Sequence, residues 1–239
     1  MSDVYDLDFD YEDEAEEPAV APLPGKKSKA AHVWERGEFD WYIEPERVTD
    51  ALARVESFIG PTLDPCCGGG NIVRALRRAD VNAWGSDVVL RKGMEEHDRF
   101  RGVHDFLAEP DAIPGRWANV VMNPPFFKAV GAEAFIRRAL EVATAKVAAF
   151  LDVKFLASEG RASGLYRELP PSRIYIISPR VSCPPGEHIE GGGKVGGGVP
   201  DWCWIVWDKT FPRGGTALHW LDVGPPPPRA PRAQKARSS

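Results

Sequence analysis

Only four cysteines occur in this 239-residue chain, and no two are spaced as a CxxC pair. Cys66 and Cys67 are adjacent, while Cys183 and Cys203 stand alone, which suits neither a zinc site nor a disulfide framework. The expectation is therefore no metal and a reduced, cytoplasmic compartment. Long apolar runs are also missing: nothing reaches the roughly 18 residues that a membrane span needs. The first residues are acidic, where a secretory leader would be basic and then apolar. Two nucleotide-binding signatures are incomplete. Gly68-Gly69-Gly70 is followed by Asn71-Ile72-Val73 rather than by the Lys-Ser/Thr of a P-loop. Val73 also takes the third glycine position of a GxGxxG dinucleotide fingerprint.

Each end lacks charge of one sign. Residues 1–25 hold nine carboxylates and no Lys or Arg, whereas residues 225–239 hold Arg229, Arg232, Lys235 and Arg237 and no acid. The body between them keeps 26 basic and 26 acidic residues. The net charge of −5 thus belongs to the acidic end and does not weigh against a polyanionic partner. Residues 1–30 cannot bury enough apolar surface to offset chain entropy and are expected to be disordered. The stretch 225–239 reads as a second disordered tail, basic and polyproline-like. The span 31–224 is long enough for one well-buried domain.

Within that span, strands and helices alternate. Pro45 stands at a first helical turn, and Val48, Leu52, Val55 and Ile59 follow helical spacing. Thr62–Asp64 reads as a short buried strand ended by Pro65, and Ile72, Val73, Leu76 and Ala79 as a helical stripe. Further strands are expected at 81–87, 119–123 and 146–151, with an amphipathic helix carrying Ala132, Phe135, Ile136, Ala139, Leu140 and Ala143. Arg173–Ser178 and 203–207 have no helical pattern between them and read as an antiparallel pair at one edge. The expected class is α/β, a mostly parallel, doubly wound sheet with that antiparallel pair.

The segment 64–71, DPCCGGGN, leaves a strand and opens a helix. Ligands of such sheets sit at the carboxyl ends of strands, where the strand order reverses. Gly68 and Gly70 permit close backbone approach, and Asp64 suits a cationic ammonium group rather than a phosphate. Asp87, ending the next strand, is placed to bridge ribose hydroxyls. Asp105 can accept from an adenine amino group while Phe106 packs on its ring. After the strand NVVM comes Asn123-Pro124-Pro125-Phe126. Two prolines stiffen the turn and let the Asn123 side-chain oxygen and the Pro124 carbonyl converge on an exocyclic NH2. The lone pair of such an amine is delocalised into its ring. Two fixed acceptors favour the pyramidal nitrogen that attacks a sulfonium methyl group in line, so no Cys or Ser nucleophile is implied. Phe126 is expected to stack on the target base, flipped out if it lies in a duplex.

These residues resemble the small N6-adenine DNA methyltransferases of phages and prophages, over most of 39–208. The resemblance implies a Rossmann-like class I methyltransferase fold, S-adenosyl-L-methionine as cofactor, and DNA, or else RNA, as partner, with no membrane. It places Asp64, Cys66, Gly68 and Gly70 in the first cofactor motif, Asp87 at the ribose, Asp105 and Phe106 at the adenine, and Asn123, Pro124, Pro125 and Phe126 in the catalytic motif, with Asn123 bordering the cofactor as well. Trp41-Tyr42-Ile43-Glu44-Pro45 is similar to the segment that packs around the methionine end of the cofactor, with Tyr42 in contact. Many relatives carry threonine where Glu44 stands. Residues 178–186 and 201–207 resemble the closing hairpin, and no dedicated recognition domain follows them. The connection 184–201, with seven glycines, His188 and Lys194, is the expected substitute, flanked by Arg180, Lys154 and Phe155. Three alternatives keep the fold: methylation of RNA adenine, methylation of a protein glutamine, or nucleic-acid binding without catalysis.

Overall fold

The structure, a computed structural model, describes residues 40–92, 94, 97–108, 113, 115–127, 130–193, 200–211 and 214–225. The chain divides into a short unit, Met1–Ala30, wholly outside the described residues, and a larger one, Ala31–Ser239, to which everything below belongs. The expectations for the acidic tail, for the tail beyond Pro225 and for Lys194 lie outside the described residues. Among those described, no helix is long and apolar enough to cross a membrane.

Eight strands form one sheet: β1 (Thr62–Asp64), β2 (Ala83–Asp87), β3 (Phe100–Val103), β4 (Asn119–Met122), β5 (Lys146–Asp152), β6 (Arg173–Ser178), β7 (Trp202–Asp208) and β8 (Ala217–Asp222). Their order is β3-β2-β1-β4-β5-β7-β6-β8. β7 runs antiparallel to both its neighbours, and the other pairings are parallel. The doubly wound α/β class and the antiparallel pair are as the sequence implies. The strand order reverses between β1 and β4, so the crevice at their carboxyl ends is where a ligand belongs.

Buried strands of this kind need apolar residues on both faces, which explains runs such as VAAFL in β5 and WCWIVW in β7. Alternate residues feed two cores. Ala148, Phe150, Trp204 and Val206 join Val48 and Leu52 of α1 (Glu46–Val55) and Ile72 and Leu76 of α2 (Asn71–Arg78). Val147, Ala149, Cys203 and Ile205 join Phe135, Ile136 and Ala139 of α3 (Val130–Val142) on the opposite face. Trp204 is fully buried, and its indole N–H donates to the Val48 carbonyl at 3.1 Å, so no polar atom of the ring is stranded.

Three elements differ from expectation. α1 ends at Val55 rather than reaching Ile59, which is 82% exposed. Glu56 is in extended conformation, and its side chain is buried against residues of β5 and β6. There it accepts from Lys146 Nζ at 2.7 Å, Arg173 Nη2 at 3.0 Å and the Tyr175 hydroxyl at 2.9 Å, and pairs with Arg173 Nε. Arg173 in turn donates to Asp208 at 2.8 Å. Secondly, β8 adds a strand outside the antiparallel pair, with Leu218 and Trp220 largely exposed and only Leu221 buried. Its burial does not alternate as a half-buried strand's would. Thirdly, a 3-10 turn (Val153–Ala157) and two short helices, α4 (Glu159–Ser163) and α5 (Leu165–Glu168), fill the β5–β6 connection. A last short helix, α6 (Gly186–Glu190), lies in the β6–β7 connection.

Candidate active site

Pro65 stops β1 directly after Asp64, and the chain reverses into α2 through the glycines. Asp64 Oδ1 accepts from the Cys66 amide at 3.2 Å, and the Cys67 amide donates to the Ser86 carbonyl at 2.9 Å. The Gly68 amide donates to Asp87 Oδ2 at 2.8 Å, tying the turn to the end of β2. Gly70 caps α2 at φ +85°. Gly68 sits at φ +51°, and a Cβ there would overlap the Trp41 indole. Glycine is needed at both positions for conformation, and at Gly68 for space as well.

The segment from Asp40 to Glu44 closes the crevice from the other side. Ile43 and Gly186 amides exchange bonds with the Pro184 and Trp41 carbonyls, each at 2.9 Å, and Asn71 Nδ2 donates to the Glu44 carbonyl at 2.7 Å. The Arg91 guanidinium lies 4.1 Å from the centre of the Trp41 ring. At the end of β4, Asn123 Nδ2 donates to the Tyr42 carbonyl at 3.0 Å and to Glu44 Oε2 at 2.7 Å. The Cys66 thiol donates to the Asn123 carbonyl at 3.4 Å, and Asp40 Oδ2 accepts from the Phe127 amide at 2.8 Å.

Together these groups enclose a cavity of about 300 Å³. Of the expected residues, Tyr42, Asp64, Cys66, Gly68, Asp87, Asp105, Phe106, Asn123 and Pro125 border it. Gly70 serves the turn from beneath, against Met94. Pro124 is buried outside the lining. Phe126 packs edge-on against Trp202, with ring centroids 6.3 Å apart, and it is Phe127, 46% exposed, that borders the cavity. Phe106 is 5% exposed and packs tilted against Phe135, with ring centroids 5.5 Å apart. Asp105 is exposed, with Oδ1 taken by the Leu107 and Ala108 amides at 2.9 and 3.2 Å, leaving its other oxygen as the available acceptor.

The remaining nucleic-acid candidates are scattered. Arg180 is exposed and paired with Asp201 at 2.7 Å, and Lys154 is exposed. Phe155 is 2% exposed, packed on Tyr166, and is thereby removed from any contact with a polymer. His188 lies half-buried in α6. Asp40 and Phe127 carry no signal of a site in the sequence, and Glu44 carries only its place before Pro45, in the segment similar to the one around the methionine end of the cofactor.

Three buried carboxylates give the cavity its character. Burial pushes Asp64 well above the usual carboxylate range, and the Glu44 charge raises it further. Burial likewise pushes Glu44 up to about 7, against the hydrogen bond from Asn123. Asp87 is raised by burial in spite of the amides of Val89 and Gly68. Such a group of acids is relieved by a cation and repels an anion. Burial and then the Asp64 charge push the Cys66 thiol up, so it stays protonated and is no nucleophile. Among the described residues, no group of three or more His, Cys, Asp or Glu side chains is placed to hold a metal ion.

The sheet order, its antiparallel β7 and the crevice at β1 and β4 define a Rossmann-like class I methyltransferase fold. No protein-family model matches the sequence, and no curated protein matches it. Solved structures do match. A protein described as the modification subunit of a type I restriction enzyme from Vibrio vulnificus YJ016 is 16% identical, with a TM-score of 0.51 over 81% of this chain and 49% of that one. The M protein of the type I restriction enzyme EcoKI is 13% identical, with a TM-score of 0.50 over 71% of this chain and 44% of that one. A protein described as an RNA methyltransferase from Pyrococcus horikoshii is 14% identical, with a TM-score of 0.51 over 72% and 89%. The likeness is one of fold, and the chain spans about half the length of the two restriction-enzyme subunits.

Proposed function

We propose that this chain is an S-adenosylmethionine-dependent methyltransferase acting on the exocyclic amino group of adenine in DNA. One observation carries the reading: the Asn-Pro-Pro turn and the acidic glycine turn border a single cavity. The donor set fits the cofactor, which carries a sulfonium and an ammonium group: Asp64 suits the ammonium and Asp87 the ribose hydroxyls, with Gly68 holding the turn at positive φ and leaving room for the Trp41 indole beside the cavity. When bound, S-adenosylmethionine supplies a methyl group that passes to nitrogen as the C–S bond breaks and sulfur keeps the electron pair. The protein's part is to hold the amine. Asn123 Oδ1, on the cavity lining, accepts one of its hydrogens and the carbonyl of Pro124, the residue behind that lining, is the proposed second acceptor; the prolines keep both still, and one N–H proton leaves to water. Phe127, beside the cavity, offers an aromatic face to the base in the place first expected of Phe126. The fold neighbours, a restriction-enzyme modification subunit and a protein described as an RNA methyltransferase among them, support a nucleic-acid substrate.

Incubation of the full chain with methyl-labelled cofactor and separate DNA, RNA and protein pools tests the reading, and label is expected in DNA as N6-methyladenine. Label in RNA or in protein alone would replace the substrate, and label in none would leave a binding protein. Gly68→Ala is expected to weaken cofactor binding in calorimetric titration by at least about tenfold. The added methyl group strains the positive φ and displaces Trp41. An unchanged Kd would remove the glycine turn from the cofactor site.

A further inference from the structure

We infer that Glu44 is a positioning residue for Asn123: it fixes the side-chain amide with nitrogen inward and oxygen outward, toward the amine to be methylated. The inference rests on the reading above and adds to it a residue that neither motif contains. A carbonyl and a carboxylate can only accept hydrogen bonds. With Tyr42 O at 3.0 Å and Glu44 Oε2 at 2.7 Å on the same side, the nitrogen of the Asn123 amide must face them. Both amide hydrogens are then engaged, and Oδ1 is the atom left for the cavity that Asn123 borders. Turned the other way, the amide would set oxygen against two oxygens and aim a donor at the substrate NH2, which also donates. That arrangement cannot hold the amine.

Glu44 is itself held. Its side chain belongs to a residue 7% exposed, and its carbonyl accepts from Asn71 Nδ2 at the start of α2. The acid therefore links the first turn of α2 to the turn after β4, the two segments that the reaction needs in register. Its charge state depends on groups from every element around it. Arg74 of α2 lowers its pKa and Glu46 of α1 raises it. Asp64 and Cys66 after β1, and Cys183 after β6, feel the Glu44 charge in return. The raised pKa, about 7, places the ionised form above neutrality in the ligand-free chain. A cation bound in the same cavity extends that form to lower pH.

Glu44→Ala and Glu44→Gln are compared in the full chain, with methyl-labelled cofactor and the mixed DNA pool. The alanine variant is expected to lose about a hundredfold in kcat, the cost of a misplaced reacting group, with cofactor Kd and DNA KM within about threefold. Glutamine still offers a carbonyl acceptor to Asn123 Nδ2. It is expected to recover all but about five- to tenfold, the share due to the charge on one hydrogen bond. In the wild-type chain, kcat/KM for the cofactor, which reports the ligand-free chain, falls as pH drops through about 7 and Glu44 takes up a proton. The glutamine variant, which mimics the protonated form, is expected to lack that limb. Calorimetric cofactor binding by each variant establishes that it is folded. A full kcat in Glu44→Ala would overturn the inference alone, as would a loss confined to cofactor Kd. A folded, cofactor-binding wild-type chain that methylates no pool would overturn the parent reading and this one with it.

Discussion

Asn123→Ala is expected to lower the single-turnover rate of methyl transfer by roughly a hundred- to a thousandfold, the range for losing one preorganised polar group at a reacting centre. Cofactor Kd should stay within about threefold, because the acids that suit the cofactor are Asp64 and Asp87, and the turn from Asp64 to Gly68 is held by its own bonds to Ser86 and Asp87. The variant removes the acceptor and leaves the Pro124 carbonyl alone with an amine free to rotate. It also strips Glu44 of its 2.7 Å donor, so that acid binds a proton more readily and adds nothing to catalysis. Quench-flow with labelled cofactor measures the rate, and calorimetry the affinity. A rate within tenfold of wild type would take Asn123 out of the mechanism, whatever its conformation.

The largest effect on stability is expected at the opposite end of the sheet. Glu56→Ala leaves Arg173 and Lys146, side chains only 14% and 15% exposed, with Asp208 as their one remaining shared carboxylate. Breaking one partner out of a buried ionic cluster costs about 3–5 kcal/mol, read from denaturant midpoints at unchanged m. The same cluster sets the acid limit of the fold. Burial alone would raise Glu56, but bonds from Arg173, Lys146 and Tyr175 bring it below the usual range. Asp208 is resisted by burial in the same way and is drawn to about 2 by Thr210 and Arg173. Both acids have a folded pKa below the unfolded one. Their contribution is complete above the ordinary carboxylate range and drains away as pH falls from about 4 toward about 2. Glu56→Ala should therefore flatten stability across that window. The cluster is remote from the cavity, so kcat of the folded variant is expected to match wild type.

Which parts of this were legible in the amino-acid sequence follows from how local their causes are. Thr62–Asp64, the glycines, Asp87 and Asn123-Pro124-Pro125 announce themselves because proline, glycine and a strand-ending acid act on their own backbone. The two-faced burial of β5 and β7 is equally plain in an unbroken apolar run. What could not be read depends on partners far along the chain. Helical spacing carried α1 on to Ile59, but Glu56 leaves the helix for Lys146 and Arg173, 90 and 117 residues away. Trp220 and Leu218 of β8 are held by backbone pairing to β6 with little burial, so their pattern carries no strand signature. Phe126 and Phe127 are adjacent and chemically alike. Only the position of Trp202 and the Asp40 bond to the Phe127 amide decide which ring meets the cavity.

One wall of the crevice has a consequence for the order in which the molecule can be made. Asp40, Tyr42 and Glu44 bond to Phe127 and Asn123, 79 to 87 residues later, and Trp41 and Ile43 bond to Gly186 and Pro184, later still. A chain emerging from the ribosome amino end first therefore exposes these five residues early; Asp40, Tyr42 and Glu44 wait for Asn123 and Phe127, and Trp41 and Ile43 wait longer, for Pro184 and Gly186. β1, β2, β4 and β5 can already be paired by then, since their contacts lie between positions 62 and 152. A nascent chain halted before Pro184 would carry the sheet's parallel centre and every residue that borders the cavity, and would lack only the backbone bonds by which Pro184 and Gly186 pin Ile43 and Trp41.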